Sequence, residues 1–190
     1  MKQNKHTSLP KEIHKDIKDG TKLAGDDYSD EMLKRWYQEE EEAYYLEEVS
    51  NQSSDKDPWY VYMRYVNDKI GFKNINQINP KPSNLLSIGP GAGNELERWS
   101  KENNSCEITF LESSSNFRKI LSRKFEGCKF IETNFKGNID APDNSFDSIL
   151  CFSVLHHIPN ITHVFSEIER VTKPGGVILI REPASSMGDW

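Results

Sequence analysis

The sequence predicts an α/β fold in which a doubly wound, mostly parallel sheet follows an N-terminal helical segment. From residue 84 onward, short β-rich runs alternate with helical stretches, and this alternation favours parallel strands joined by right-handed crossovers. Upstream, apolar residues recur every three or four positions from Asp30, which is typical of an amphipathic helix. The runs of the sheet region are NLLSI, NELERWSKEN, EITFLE, SNFRKILSRKF, CKFIE, FDSILCF, ITHVFSEIERV and GVILIRE.

Changes in composition divide the chain into four segments. Residues 1–26 are polar and lack apolar periodicity, so we predict a flexible N-terminal segment. Residues 27–72 are predicted to form a helical cap whose second helix starts at Asp57, and its aromatic residues fit either packing onto the next domain or a lid over a substrate. Residues 73–83 are rich in Asn and Pro and are predicted to form a linker. Residues 84–190 are predicted to form the α/β domain.

Composition narrows the functional classes. No apolar run reaches about 18 residues, so we expect no membrane span, and a cytoplasmic location is the default because the N-terminus lacks the pattern of a secretory signal. The three cysteines form no C-x-x-C pair, which argues against a disulfide framework or a metal site and favours reduced, buried thiols. The formal net charge of −6 makes a nucleic-acid partner less favoured.

The segment LLSIGPGAGNELERW carries the most information about function. An apolar strand runs into Gly89, Gly91 and Gly93, and a helix is predicted to follow at once. Glycines suit this turn because side chains would keep the backbone away from a ligand. Asn94 and Glu97 have the spacing of a capping box, which favours a helix start. Sheets of this class bind ligands at the carboxyl ends of their strands, beside a helix N-terminus.

An acidic residue strengthens the interpretation of the glycine loop. Glu112 ends the next predicted strand, 19 residues after Gly93, where a carboxylate accepts hydrogen bonds from both hydroxyls of a ribose. The spacing G-x-G-x-G differs from the G-x-G-x-x-G that cradles a pyrophosphate, because Asn94 stands where the third glycine would be. This favours a nucleoside ligand without a diphosphate, with a purely structural strand–helix turn as the alternative.

Four motifs in order resemble the class I S-adenosylmethionine-dependent methyltransferases, specifically the small-molecule group known as methyltransferase type 11 or ubiquinone-biosynthesis-like. They are LLSIGPGAG, ITFLESS, FIETNFKGNIDAPDNSFDSILCFSVLHHI and RVTKPGGVILIREP, and they cover roughly half of the chain, from Asn84 to Pro183. The resemblance implies a Rossmann-like fold, S-adenosylmethionine as cofactor and a small-molecule methyl acceptor. The lack of an N-P-P-Y run after the fourth strand argues against the DNA amino-methylases.

The resemblance also implies a set of cofactor-binding residues. The glycines would line the methionine and ribose portions, Glu112 would bind the ribose, Asn134 and Phe135 would meet the adenine, and the backbone at Cys151 would face the cofactor. The family usually has an acid where Ser87 stands and Asp where Asn134 stands, although Asn still accepts one hydrogen bond and donates another. The full set is Ser87, Gly89, Gly91, Gly93, Glu112, Ser113, Asn134, Phe135 and Cys151.

Two histidines after the fourth strand are the candidate catalytic residues. Methyl transfer from a sulfonium mainly needs positioning and exclusion of water, and a general base is optional. A neutral imidazole of His156 or His157 could take a hydroxyl proton near pH 7. The alternative is structural, with one ring packed against the sheet and the other bonded to backbone.

The family sheet normally ends in two further strands that form an antiparallel hairpin, and EPASSMGDW is too short for one. We therefore expect a sheet without that hairpin and with an uncovered edge at GVILI, which a second copy could cover in a homodimer. This expectation, together with Ser87 and Asn134, leaves open a degenerate or truncated methyltransferase-fold protein that acts as a binding or interaction module. An NAD-type oxidoreductase is disfavoured by the glycine spacing, and no paired-acid site marks an aminopropyltransferase.

Overall fold

A computed structural model describes residues 25–50, 61–62, 65–78 and 82–182 of the chain. Nearly all of the predicted flexible N-terminal segment lies outside these ranges, as does the predicted helix start at Asp57. The predicted division into domains is not tested by these ranges and stays a prediction.

A five-stranded sheet with only parallel pairings forms the centre of the molecule, in the order β3-β2-β1-β4-β5. The chain builds outward from β1 to β3 and then crosses back to place β4 on the other side of β1. Parallel sheets bind ligands outside the carboxyl ends of the strands where the order reverses, here between β1 and β4. The strands are β1 (Asn84–Ile88), β2 (Glu107–Leu111), β3 (Lys129–Ile131), β4 (Phe146–Phe152) and β5 (Thr172–Arg181).

Helices cover both faces of this sheet, which confirms the predicted doubly wound α/β class. Because neighbouring residues of a strand point to opposite faces, Leu86 of β1 packs with Ile168, whereas Leu85 packs with Trp99 and Leu121, and all five are buried. The α-helices are α1 (Asp30–Ser50), α2 (Lys73–Ile78), α3 (Glu97–Glu102), α4 (Ser115–Lys124) and α5 (Ile161–Val171), with a π-helical stretch at Asn67–Phe72 and a 3₁₀ turn at Leu155–His157.

The first part of the predicted linker is helical. Residues 73–78 form α2, although their Asn content favoured an irregular segment. The cause is tertiary packing, because Phe72 and Ile75 are buried and Phe72 stacks on Trp99 with 5.8 Å between ring centroids. The Trp99 indole nitrogen also donates a hydrogen bond of 3.1 Å to the side-chain oxygen of Asn76. Burial of this apolar pair outweighs local propensity.

The predicted capping box is wrong. Helix α3 starts at Glu97 with Leu96 at the N-cap position, and no side chain caps it. Asn94 Oδ1 instead accepts a hydrogen bond from Lys124 Nζ, and the same ammonium lies 3.7 Å from Glu97. The Lys124 ammonium of α4 therefore interacts with both side chains that were predicted to cap the helix.

Strand β5 is an edge strand in the described part of the chain. Ile178 and Ile180 are 38% and 40% exposed on it. Pairing of two copies along this edge stays a prediction. Within the described ranges, no helix has the length and apolar character needed to cross a bilayer.

Two isoleucines on different helices test the packing of the sheet against α5. Ile168 is fully buried beneath β1 and β4, whereas Ile120 on α4 is 39% exposed. Because deleting buried methylene groups leaves a cavity, we expect Ile168→Ala to lower the free energy of unfolding by about 2–5 kcal/mol. Ile120→Ala removes the same atoms from a half-exposed site and should lower it by less than about 1.5 kcal/mol. Urea unfolding measures both, and equal losses would contradict the described packing.

Candidate functional site

The glycine loop after β1 packs against the segment that leaves β4. Gly89 has φ +56°, and its N–H donates a 2.9 Å hydrogen bond to the carbonyl of Leu111 at the end of β2. A Cβ added to Gly89 would lie 2.2 Å from Cγ2 of Val154. A Cβ on Gly93 would instead meet Leu121 and Phe125 at 2.7 Å. Gly89 therefore allows the two loops to touch, and Gly93 allows the loop to pack on α4.

Glu112 directly follows β2 and lies beside the glycine loop. Its side chain is only 6% exposed. Its Oε2 accepts a 3.1 Å hydrogen bond from the N–H of Gly91, and its Oε1 accepts one of 2.9 Å from the N–H of Ser114. A buried carboxylate needs such partners because desolvation penalises its charge. The carboxylate therefore connects the ends of β1 and β2.

A cavity of about 520 Å³ opens at this carboxyl edge of the sheet. Its lining comes from the glycine loop, the residues after β2, the loop after β3, the segment after β4 and helix α1. The lining residues from the predicted set are Gly89, Gly91, Glu112, Ser113, Asn134, Phe135 and His157.

The loop after β3 places Asn134 and Phe135 at the cavity. The Asn134 side chain, however, serves its own loop: Oδ1 accepts from the N–H groups of Lys136 and Asn138 at 3.0 and 3.2 Å, and Nδ2 donates to the carbonyl of Asn138 at 2.9 Å. The Phe135 ring has the ammonium of Lys34 from α1 4.9 Å from its centroid. Asn134 thus shapes this wall, and Phe135 lines the cavity with the Lys34 ammonium over its ring.

Three predicted cofactor residues do not line the cavity, namely Ser87, Gly93 and Cys151. Ser87 and Cys151 are buried within β1 and β4, and Cys151 packs in the hydrophobic cluster beneath α5. Burial, aided by the charge of Glu182, raises the pKa of the Cys151 thiol to about 12, so the thiol stays protonated. Past β4 the lining continues at Ser153 and Val154. Of the three free thiols, only Cys151 is buried.

Only one of the two candidate histidines lines the cavity. His157 lines the cavity, and its Nδ1 lies 2.7 Å from Oε2 of Glu40 on α1. His156 is absent from the lining and has its Nδ1 2.6 Å from Oε2 of Glu182. The two rings are close, with 3.9 Å between centroids. Only His157 is therefore placed to act on a molecule in the cavity.

Glu182, directly after β5, fixes the segment that carries both histidines, and sequence reasoning missed it. Its Oε1 accepts hydrogen bonds of 2.9 Å from the N–H groups of Val154 and Leu155. Burial opposes ionisation of this carboxyl, but the hydrogen bonds from His156 and the two backbone groups hold its pKa below the usual value. The position of Glu182 at the end of a strand was the available signal.

Helix α1 supplies part of the cavity wall, which the sequence did not assign to particular residues. The indole nitrogen of Trp36 donates a 2.8 Å hydrogen bond to the carbonyl of His157, and the hydroxyl of Tyr37 donates one of 3.2 Å to Asn160. Burial raises the pKa of Tyr37 to about 12, so its hydroxyl stays protonated. The contributed lining residues are Lys34, Tyr37, Gln38 and Glu40. Trp36 and Tyr37 therefore pack on the α/β domain, and Tyr37 also lines its cavity.

Solved structures share this arrangement of strands and helices. The plantazolicin methyltransferase BpumL, solved with S-adenosylhomocysteine, superposes with a TM-score of 0.60 at 19% identity over 78% of this chain and 55% of that one. The amino pentose methyltransferase CalS10 of Micromonospora echinaspora gives a TM-score of 0.55 at 18% identity, over 72% of this chain and 56% of that one. At these identities the likeness shows the fold, a Rossmann-like α/β fold.

Sequence comparison identifies the family. Residues 86–180, half of the chain, match the family described as "Methyltransferase domain", and the chain belongs to this family. It is 28% identical over 107 residues to the rat thiol S-methyltransferase TMT1B, covering 53% of this chain and 43% of that protein. It is 28% identical over 142 residues to the sterol 24-C-methyltransferase ERG6A of Gibberella zeae, covering 68% and 34%. The chain thus spans less than half the length of these relatives.

Two glycines with similar backbone angles test the contact between the loops. Gly89 and Gly127 have φ of +56° and +73°, but a Cβ meets Val154 at the first and nothing within 4 Å at the second. Gly127→Ala should lower the free energy of unfolding by only about 1–2 kcal/mol, because the alanine must adopt a left-handed conformation. Gly89→Ala must also displace Val154, so we expect a larger loss of stability and a displaced segment after β4. Thermal unfolding and the amide NMR shifts of residues 153–157 measure this, and equal effects would contradict the contact.

Proposed function

We propose that the chain binds S-adenosylmethionine in this cavity and transfers its methyl group to a small-molecule acceptor. The observation that carries the proposal is the buried carboxylate of Glu112, which faces the cavity beside the glycine loop at the point where the strand order reverses. Membership of the methyltransferase-domain family supports the reaction type.

The residues around the cavity fit this cofactor. Glu112 lines the cavity and would bind the ribose hydroxyls, because an ionised carboxylate accepts hydrogen bonds. Gly89 and Gly91 would line the methionine end, and the ring of Phe135 would meet the adenine. Ser113 would contribute beside Glu112. Because β2 and β3 lie on one side of β1 and β4 on the other, the nucleoside would lie toward β2 and β3, and His157 would lie toward the methionine end.

When bound, the cofactor would supply a methyl group activated by its positive sulfur. The chain would position the acceptor and exclude water, with α1 as the cover over the cavity. His157 would take the proton of a hydroxyl or thiol acceptor, since an imidazole can act as a base near pH 7. The relatives are named for thiol and sterol acceptors, so the acceptor class differs among them, and a small organic molecule is what we propose for this chain.

A binding module without turnover is the second candidate function. The observation that favours it is the state of two positions where the family usually has acids: Ser87 is buried within β1, and the Asn134 amide is used by its own loop. Such a module would bind the cofactor weakly or not at all. Measurable methyl transfer to any acceptor by the intact protein would exclude it.

The proposal extends to the setting of the reaction. We place the protein in the cytoplasm, with a small-molecule acceptor as its partner and without a nucleic-acid substrate. Residues 27–72 would act as a cap and residues 84–190 as the methyltransferase domain. Two copies would meet along β5, whose Ile178 and Ile180 side chains are partly exposed.

Two acids at opposite ends of β2 test the cofactor assignment. We expect Glu112→Gln to weaken binding of S-adenosylmethionine by about 10- to 100-fold, because a hydrogen bond to a charged group contributes about 1.5–3 kcal/mol. Glu107, at the start of the strand, forms an exposed ion pair of 2.8 Å with Lys129, so Glu107→Gln should leave binding within about twofold. Calorimetric titration with S-adenosylmethionine and S-adenosylhomocysteine measures both, with NAD as a negative control.

Three results would contradict the assignment. They are no saturable binding by the folded wild-type protein, tighter binding of NAD than of S-adenosylmethionine, and equal weakening by the two substitutions. Circular dichroism and thermal unfolding of each variant show whether the sample is folded.

A further inference from the structure

We propose that Asn160 is a positioning residue for cofactor binding, because its buried side-chain amide holds the loop at 134–138, which would meet the adenine, and joins that loop to α1. This deepens the proposed function and rests on it for the identity of the ligand. The proposal assigns a role in binding to a residue that does not itself line the cavity.

The orientation of the Asn160 amide follows from its two partners. Its Nδ2 donates a 2.7 Å hydrogen bond to the carbonyl of Lys136, and its Oδ1 accepts one of 3.2 Å from the hydroxyl of Tyr37. A carbonyl only accepts hydrogen bonds, so the amide nitrogen must face Lys136. Burial raises the pKa of Tyr37, so the hydroxyl keeps the hydrogen that it donates. Asn160 is 7% exposed, and a polar group buried this far is costly without such partners.

Asn160 does not cap its own helix, although it occupies the N-cap position of α5. An asparagine at this position commonly accepts a hydrogen bond from an N–H of the first turn, but the Asn160 side chain forms no such bond. Asp26 takes this place instead, because its Oδ1 accepts a 3.1 Å hydrogen bond from the N–H of Thr162 and its Oδ2 binds the Thr162 hydroxyl. The Asn160 side chain therefore serves the contact between the loop and α1.

The loop lies directly against the start of α5. The N–H of Lys136 donates to the Asn134 side chain at 3.0 Å, while its carbonyl accepts from Asn160. Gly137 follows with φ +78°, and a Cβ added to it would lie 2.6 Å from Cγ2 of Val164 and 3.3 Å from Nδ2 of Asn160. Glycine at this position thus allows the close approach that brings the Lys136 carbonyl to the Asn160 amide.

Helix α5 holds the end of the loop at two further points. Nε2 of His163 lies 2.7 Å from Oδ1 of Asn138, and Oε2 of Glu167 accepts a 2.9 Å hydrogen bond from the N–H of Ile139. Both contacts lie beyond the residues that would meet the adenine, and neither of them joins the loop to α1. The Asn160 amide makes both connections at once.

A loop that is held in place before its ligand arrives loses less conformational freedom on binding, which favours affinity. Through the Lys136 carbonyl, Asn160 would keep Phe135 in position for the adenine. Through Tyr37 it would fix α1, whose Lys34 ammonium lies 4.9 Å from the centroid of the Phe135 ring. Loss of the Asn160 amide should therefore weaken binding of the nucleoside part of the cofactor.

Two substitutions at the start of α5 separate positioning from helix stability. Asn160→Ser removes both hydrogen bonds but keeps a residue that favours the N-cap position. We expect it to weaken binding of S-adenosylhomocysteine and of adenosine by the same factor, about tenfold, because both contain the nucleoside. Asp26→Ala, the matched control, removes the cap of the same helix, so it should lower the thermal midpoint and leave both affinities within about twofold. Calorimetry measures S-adenosylhomocysteine binding, and NMR titration measures adenosine binding.

Amide hydrogen exchange tests the loop without any ligand. The N–H groups of Lys136 and Asn138 donate to the Asn134 side chain, so their exchange reports opening of the loop. We expect exchange at both to be about tenfold faster in Asn160→Ser and unchanged in Asp26→Ala. Tyr37→Phe removes one partner of the amide while keeping the ring, so it should speed exchange by a smaller factor, and it keeps the test decisive if Asn160→Ser does not fold.

Unchanged exchange in the loop of the folded variants, unchanged affinity of Asn160→Ser, or equal weakening by Asp26→Ala would overturn the proposal. Weaker binding of S-adenosylhomocysteine alone would also overturn it, because the effect would then lie at the methionine end. If the folded wild type binds neither ligand, the proposed function fails, and the exchange result still decides whether Asn160 holds the loop.

Discussion

The carboxylate of Glu112 is the constraint on which the candidate site depends. It is buried at the end of β2, where its charge requires hydrogen-bond partners, and it finds them in the backbone N–H groups of Gly91 and Ser114. These bonds fix the glycine loop to the neighbouring strand. The Gly89 N–H repeats the connection through the carbonyl of Leu111. The floor of the cavity is therefore held by backbone groups around one buried charge.

The walls of the cavity depend on contacts between segments far apart in the chain. Glu182, after the edge strand, holds the segment after β4 through two backbone N–H groups, and that segment touches the glycine loop at Gly89. Helix α1 contacts the same segment through Trp36 and Glu40, which both bind His157. Each wall is thus held by hydrogen bonds to the carboxyl-end loops of the sheet, where this class of fold places its ligands.

The sequence predicted those features that are encoded locally. Apolar runs located all five strands of the described sheet. The glycine loop and Glu112 were found because each directly follows one of these runs. The helix at residues 73–78 was not predicted, because it depends on packing of Phe72 against Trp99, which no local pattern reveals. Glu40 was also missed, since its partner His157 lies 117 positions away. Local signals locate elements and strand-end residues, whereas contacts between elements decide which side chains line the cavity.

Hydrogen exchange of the intact protein, with and without saturating S-adenosylmethionine, tests most directly whether the sheet edge and α1 enclose one cofactor site. We expect the ligand to slow amide exchange in the glycine loop at 89–93, in the loop at 134–138 and in residues 30–40 of α1, because bound ligand opposes local opening. Exchange at 107–108, at the far end of β2, should stay unchanged. Protection that is absent from the glycine loop, or that appears only outside these three segments, would contradict a single cofactor site at this sheet edge.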